Sequence, residues 1–153
     1  EAMKNLKKNQ IDQIIIDKIT NEKIPFLGIC LGMQILFQYS EEIEKTKGLN
    51  IIKGVVKKIK SSKKNKVPHV GWNNYHLTKP HPLFKNIPKN ASFYYDHSYF
   101  VKTSKVNKIA NLNYLDDMTI AVNKDNIYGV QFHPEKSQKN GLKLLRNFIN
   151  LSN

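Results

Sequence analysis

Two short segments carry side chains able to do covalent chemistry. The only cysteine lies in Gly28-Ile29-Cys30-Leu31-Gly32-Met33-Gln34. A Gly-x-Cys-x-Gly pattern between an apolar run and a helical pattern has the form of a nucleophile elbow, a sharp strand-to-helix turn. Such a turn strains the backbone of the nucleophile and crowds its flanks, so Gly28 and Gly32 are both expected to answer a steric demand. The helix N-terminus would direct N–H groups and a positive dipole end at the sulfur, favouring the thiolate. The N–H of Leu31 would then be an oxyanion donor. The competing reading makes Cys30 a small buried hydrophobe; the two glycines and the strand-helix context favour the nucleophile.

A thiol nucleophile needs a base, and the base needs an orienting group. Of the five histidines (His69, His76, His81, His97 and His133), His133 follows the apolar run Gly129-Val130-Gln131-Phe132 and precedes Pro134-Glu135-Lys136-Ser137. In extended chain His133 and Glu135 point to the same side. Pro134 fixes its own φ and restricts His133 to extended backbone. Glu135 could therefore hold an imidazole N–H and select the tautomer, as the acidic member of a triad does. Metal binding is the rival chemistry, but the other histidines are not spaced as convergent ligands, and no metal site is expected. These four read as structural or surface groups. His69 and His97 are the best exceptions, each in an aromatic, strand-like stretch.

The elements that must position these groups follow from periodicity. Met3, Leu6, Ile11, Ile14, Ile15 and Ile19 predict one opening helix. Residues 24–29 form an apolar run of buried-strand type with Pro25 at its start. A second helix is expected over residues 31–39. Helix, buried strand, helix is the grammar of an α/β fold with a parallel sheet. Short strands are predicted around Gly54 and over residues 67–75, 91–102, 109–112, 119–123 and 127–132. Residues 57–66 form a basic tract read as an exposed hairpin or loop, and Pro80, Pro82 and Pro88 punctuate a long connection. A final helix is expected from 137 or 140 to 151, with Leu142, Leu145, Phe148 and Ile149 facing in. No repeat, linker or second domain is visible.

Composition narrows the class. The 153 residues, 40 % hydrophobic, fit one domain with a real core. One cysteine excludes an internal disulfide scaffold and a thiolate-only metal site. No apolar run approaches the roughly 18 residues that cross a bilayer, and the opening residues do not read as a signal peptide. The net charge is +13, yet only Arg146 among the 25 basic residues is arginine. A nucleic-acid reader would use arginine's planar fork, so the charge reads mainly as lysine-rich codon usage, with an acidic partner or substrate as the other source.

Gly28-Ile-Cys30-Leu-Gly32-Met-Gln34 together with Gln131-Phe-His133-Pro-Glu135 resembles the class I (triad) glutamine amidotransferases. More narrowly, Pro68-His69-Val70-Gly71-Trp72-Asn73, His97-Ser98-Tyr99 and His133-Pro-Glu135-Lys136-Ser137 resemble the glutaminase subunits of imidazole glycerol phosphate synthases. The resemblance spans residues 1–151 as one amidotransferase domain. It implies a flavodoxin-like α/β fold, with a mixed central sheet flanked by helices. It also implies that Cys30 attacks the side-chain amide of glutamine. His133 moves the thiol proton to the leaving ammonia, Glu135 orients His133, and water hydrolyses the thioester. Leu31 would be one oxyanion donor. Gln34 and Glu42 would hold the α-carboxylate and α-amino groups of glutamine, beside Ser98 and Tyr99. Trp72, Asn73, Tyr94 and Lys136 match positions near the face that docks a (β/α)8-barrel cyclase subunit, which receives the ammonia through a tunnel. The expected protein is a cytoplasmic enzyme of histidine biosynthesis with no cofactor, nucleic acid or membrane partner.

The family also carries a segment ahead of the first helix, with the first strands of the sheet and a glycine-rich loop supplying a second oxyanion N–H. Its absence from this sequence suggests a fragment or a truncated reading frame, and loss of one donor could cost on the order of 100- to 1,000-fold in rate. Three other readings remain open: a paralogue supplying ammonia for surface-polysaccharide sugar modification, a catalytically impaired binding subunit, and a nucleic-acid binder suggested by charge alone.

Overall fold

A computed structural model of the chain describes residues 1–41, 45–62, 66–112, 114 and 118–152. Helices α1 (Ala2–Lys8) and α2 (Ile11–Thr20) lead into β1 (Phe26–Ile29) and the short α3 (Leu31–Gln34). Strands β2 (Tyr39–Ser40), β3 (Thr46–Lys47), β4 (Gly54–Lys58), β5 (His69–Asn74) and β6 (His76–Leu77) follow. Next come β7 (Ser92–His97), β8 (Tyr99–Thr103), β9 (Lys108–Leu112), β10 (Met118–Lys124) and β11 (Ile127–Val130), and α4 (Gln138–Leu151) closes the chain.

The main sheet runs β1-β11-β10-β8-β4-β2-β3, with β9 and β6 branching from β10. It is mixed: β1 is parallel to β11 and β2 to β4, while the other pairs are antiparallel. Strands β5 and β7 form a separate antiparallel ribbon. Alternation along β11 sends Tyr128 and Val130 into one apolar cluster with Phe93, Tyr95, Phe132 and Leu144, and Ile127 into a second with Met33, Leu36, Phe37 and Ile52. A Cβ at Gly129 would fall 2.8 Å from Met33 Cγ, so this glycine lets α3 settle onto β11 beside the cysteine turn.

Four expectations are corrected. The opening helix is two helices, because Gln10 adopts φ 56° and breaks the hydrogen-bond ladder. The second half therefore turns Asp12 and Ile19 inward and leaves Ile11 and Ile14 exposed. The second helix ends at Gln34, not at residue 39. Carbonyls of Ile35, Leu36 and Phe37, which would have continued it, accept instead from the N–H groups of Leu49, Ile51, Ile52 and Asn50. Residues 91–102 are not one strand; the chain bends at Ser98, and β7 joins the ribbon while β8 joins the main sheet.

The final helix is rotated from the phase expected: Phe148 packs against the core and Leu145 is half-buried, as expected, but the other two residues face out. Leu142 and Ile149 are exposed, and Gly141, Leu144 and Asn147 are buried. Hydropathy misleads here because the inward face carries a glycine and an amide. Asn147 Nδ2 donates to the carbonyls of Leu83 and Lys85, at 3.0 and 2.8 Å, stitching the helix to the turn Pro82–Phe84.

Candidate active site

Cys30 stands at the end of β1 with φ 49° and ψ −104°, a strained conformation for a non-glycine residue. Its N–H donates to the Val130 carbonyl at 2.8 Å, so the last rung between β1 and β11 fixes the turn. A Cβ at Gly28 would lie 2.5 Å from the Gly32 carbonyl oxygen, which gives that glycine the expected steric reason. Gly32 has no such reason: a Cβ there would meet nothing within 4 Å. Of these two glycines, the crowding falls on Gly28 alone.

Three groups address the sulfur. The N–H of Leu31 hydrogen-bonds to it, Gln131 Nε2 donates at 3.5 Å, and the thiol is directed at the Asp96 carbonyl at 3.9 Å. Burial pushes the thiol above its ordinary range, and the negative charges of Asp96 and Glu135 push the same way. The Leu31 and Gln131 N–H groups act against this by favouring the thiolate. The resting site thus holds a protonated sulfur flanked by donors.

His133 leaves the end of β11, the parallel neighbour of β1, so candidate nucleophile and base project from the same edge of the sheet. Its Nδ1 lies 2.7 Å from Glu135 Oε1. The backbone of this loop is clamped by β7. The His133 N–H donates to the Tyr94 carbonyl at 2.9 Å, the Tyr94 N–H donates to Ser137 Oγ at 2.9 Å, and Ser137 Oγ donates to the His133 carbonyl at 2.6 Å. From the other side, α4 presses Gly141 against Pro134, where a Cβ would fall 1.8 Å from the Pro134 oxygen.

A pocket beside the turn is lined by Leu31, Gln34, Ile35, Tyr39, Ser40 and Thr46, among others. Gln34 faces it, with its amide nitrogen donating to the Tyr99 carbonyl at 3.1 Å and to Gln131 Oε1 at 3.0 Å. Both Gln34 N–H groups are thereby engaged, leaving Oε1, an acceptor, as the atom suited to a substrate ammonium rather than a carboxylate. Ser98 and Tyr99 are not among the described residues that line this pocket; they act through backbone carbonyls, to Ile59 and to Gln34 and His97. Glu42 lies outside the described residues.

The residues expected at a docking face divide. Trp72 pairs with Tyr94 across the ribbon, their rings edge-to-face at 6.0 Å, and Lys136 Nζ stands 5.6 Å from the Tyr94 ring centre. Val70 and Trp72 are exposed on the same face. Asn73 faces the other way: its amide donates to His69 Nε2 at 2.8 Å.

Behind the ribbon, His69 Nδ1 and His97 Nε2 are 2.9 Å apart, and His97 Nδ1 reaches the Tyr99 carbonyl at 2.8 Å. Burial holds His69 down to about 4, with the His97 ring adding to the effect, and burial also lowers His97. In unfolded chain both rings titrate near 6.5. Below that value the unfolded state takes up protons that the folded state refuses, so stability is full above pH 6.5 and falls as the pH drops toward 4. In urea denaturation, the His69→Asn variant is expected to lose on the order of 2 kcal/mol less than the parent between pH 7 and pH 4.

The class-I glutamine amidotransferase family model matches residues 6–151. The chain belongs to the class-I glutamine amidotransferase family. The imidazole glycerol phosphate synthase subunit HisH of Leptospira borgpetersenii is 47 % identical over 154 residues, covering 98 % of this chain and 75 % of that protein. The subunit of the same name from Methanocaldococcus jannaschii is 48 % identical over 136 residues, covering 89 % of this chain and 68 % of that one. A solved structure described as a glutamine amidotransferase superposes with TM-score 0.72 at 13 % identity, over 97 % of this chain and 71 % of the other. A glutamine amidotransferase from Thermotoga maritima gives 0.65 at 18 %, over 99 % of this chain and 57 % of that one. At those identities the structures establish a shared fold.

Within this amidotransferase, two residues of the quoted motifs have contacts that the motifs gave no role. Gln131 is wholly buried and donates to the sulfur, and Ser137 locks the His133 loop. The available signal was polarity: an amide between Val130 and Phe132 must find partners inside the protein.

Proposed function

We propose that this chain is a glutaminase subunit of the imidazole glycerol phosphate synthase type, releasing ammonia from glutamine for a cyclase partner in histidine biosynthesis. The observation that carries this reading is the name shared by relatives 41 to 48 % identical over nearly the whole chain. In this reading Cys30 attacks the glutamine amide carbon and the Leu31 N–H stabilises the developing oxyanion. His133, held by Glu135, accepts the thiol proton and returns it to the departing nitrogen, and water then hydrolyses the thioester. Burial of the sulfur suits a thiol that ionises only when substrate and base are aligned. The Val70, Trp72, Tyr94 and Lys136 face supports a heterodimer, since exposed aromatic and apolar groups beside a catalytic loop are typical of partner surfaces. We place the complex in the cytoplasm; none of the described helices is long and apolar enough to cross a membrane.

The test is ammonia release from glutamine by the complete protein, alone and with a cyclase subunit of the same source. Glutamine-specific release that rises with the cyclase is expected. Release stimulated only by a sugar-modifying synthetase would replace the histidine-pathway reading with the paralogue. No release with either partner would remove the glutaminase assignment.

A further inference from the structure

We propose that Gln131 holds the ionised sulfur of Cys30 during the reaction, its amide locked in the donating orientation through Gln34 by the Tyr99 carbonyl, on which a buried chain from Asn73 through His69 and His97 also ends. The inference rests on the glutaminase reading for its catalytic meaning, but the contacts stand independently of it.

The direction of every bond in this chain is set by one backbone carbonyl. Tyr99 oxygen can only accept, so His97 Nδ1, 2.8 Å away, must carry a proton. In the neutral ring Nε2 is then an acceptor, and His69 Nδ1, at 2.9 Å, must donate to it. That leaves His69 Nε2 as an acceptor, served by the Asn73 amide at 2.8 Å. On the other side, the same Tyr99 oxygen requires the Gln34 nitrogen at 3.1 Å to donate. This nitrogen is also 3.0 Å from Gln131, so Gln131 must present Oε1 to it. Its Nε2 is therefore the atom 3.5 Å from Cys30 Sγ.

The consequence is electrostatic. A reversed Gln131 amide would put an oxygen against a forming thiolate and an N–H against another N–H. The Gln34 donor, itself fixed by the Tyr99 carbonyl, forbids that reversal, and an N–H already aimed at sulfur strengthens as charge develops. The surroundings keep the chain in register: His69 and Gln131 are buried, and the His69 ring stacks on Tyr114 at 4.0 Å.

Because Cys30 is the only cysteine, alkylation by iodoacetamide across a pH series reports its ionisation directly in the complete protein. The variant Gln131→Met keeps the length of the side chain and removes the donor. It is expected to move the alkylation midpoint upward and slow alkylation at pH 7 on the order of tenfold. Gln131→Glu, which replaces the donor by an acceptor, should shift at least as far and covers the case in which the methionine variant does not fold. One contact away from sulfur, Gln34→Leu, which removes the donor that orients Gln131, should move the midpoint in the same direction by a smaller step. A folded Gln131 variant alkylated within twofold of the parent would overturn the role of Gln131. Gln34→Leu matching the parent would overturn the orienting role of Gln34. Alkylation needs no glutamine, so a parent protein that behaves as described yet releases no ammonia refutes the glutaminase reading alone.

Discussion

Cys30→Ala is expected to lower glutamine hydrolysis by at least about four orders of magnitude, with the folded structure intact. The size follows from the proposed mechanism: if Cys30 is the covalent nucleophile, its removal removes the pathway, and the remaining donors can only polarise an amide for attack by water. Stability should change little. The sulfur is half-buried and its contacts are single hydrogen bonds to Leu31, Gln131 and Asp96, while alanine relieves little of a φ of 49° held by the rung to Val130. Ammonia release measured with the cyclase present, together with a thermal melt, checks both halves. Residual activity within tenfold of the parent would mean that the sulfur does not carry the chemistry.

Gly141→Ala is the largest effect expected away from the sulfur. A Cβ at this position would fall 1.8 Å from the Pro134 oxygen and 2.9 Å from Ser137 Cβ, and the nearer atom is backbone, which cannot step aside. Helix α4 or the His133 loop must move. We expect a loss of about 3 kcal/mol, near the upper end for overpacking, and a melting temperature lower by about 10 °C. The loop carries His133 and Glu135, so a displacement near 1 Å should also cost about 100-fold in kcat. Gly32→Ala is the control: a Cβ there meets nothing within 4 Å, and alanine suits a helical position, so stability should be equal or slightly higher. Urea denaturation of the two variants beside the parent decides the comparison.

Much of the site could be read from residue order because the chemistry is local. Gly28 and Cys30 define a turn, and His133 and Glu135 meet across a single proline, with an observed separation of 2.7 Å. The α/β class followed from the run at β1 between helical patterns. What remained hidden was set by tertiary partners. The end of α3 depends on N–H groups from residues 49–52, and the phase of α4 on an inward glycine and asparagine. The break at Ser98 depends on two sheets competing for one apolar run. Gln131 lay within a quoted motif but its role was not legible there, since its side-chain partners come from α3 and the cysteine turn.

The pairing of β1 with β11 also governs when the site can exist. Within the described sheet β1 is an edge strand whose ladder partner is β11, and the sulfur meets Gln131 across a separation of 101 residues. Closing so long a loop is slow compared with forming a hairpin or a helix. During synthesis the thiol emerges first and waits for strands that are made much later. Cys30 is therefore a free, reactive cysteine until β11 arrives, and its exposure to oxidants and electrophiles is greatest before the sheet is complete.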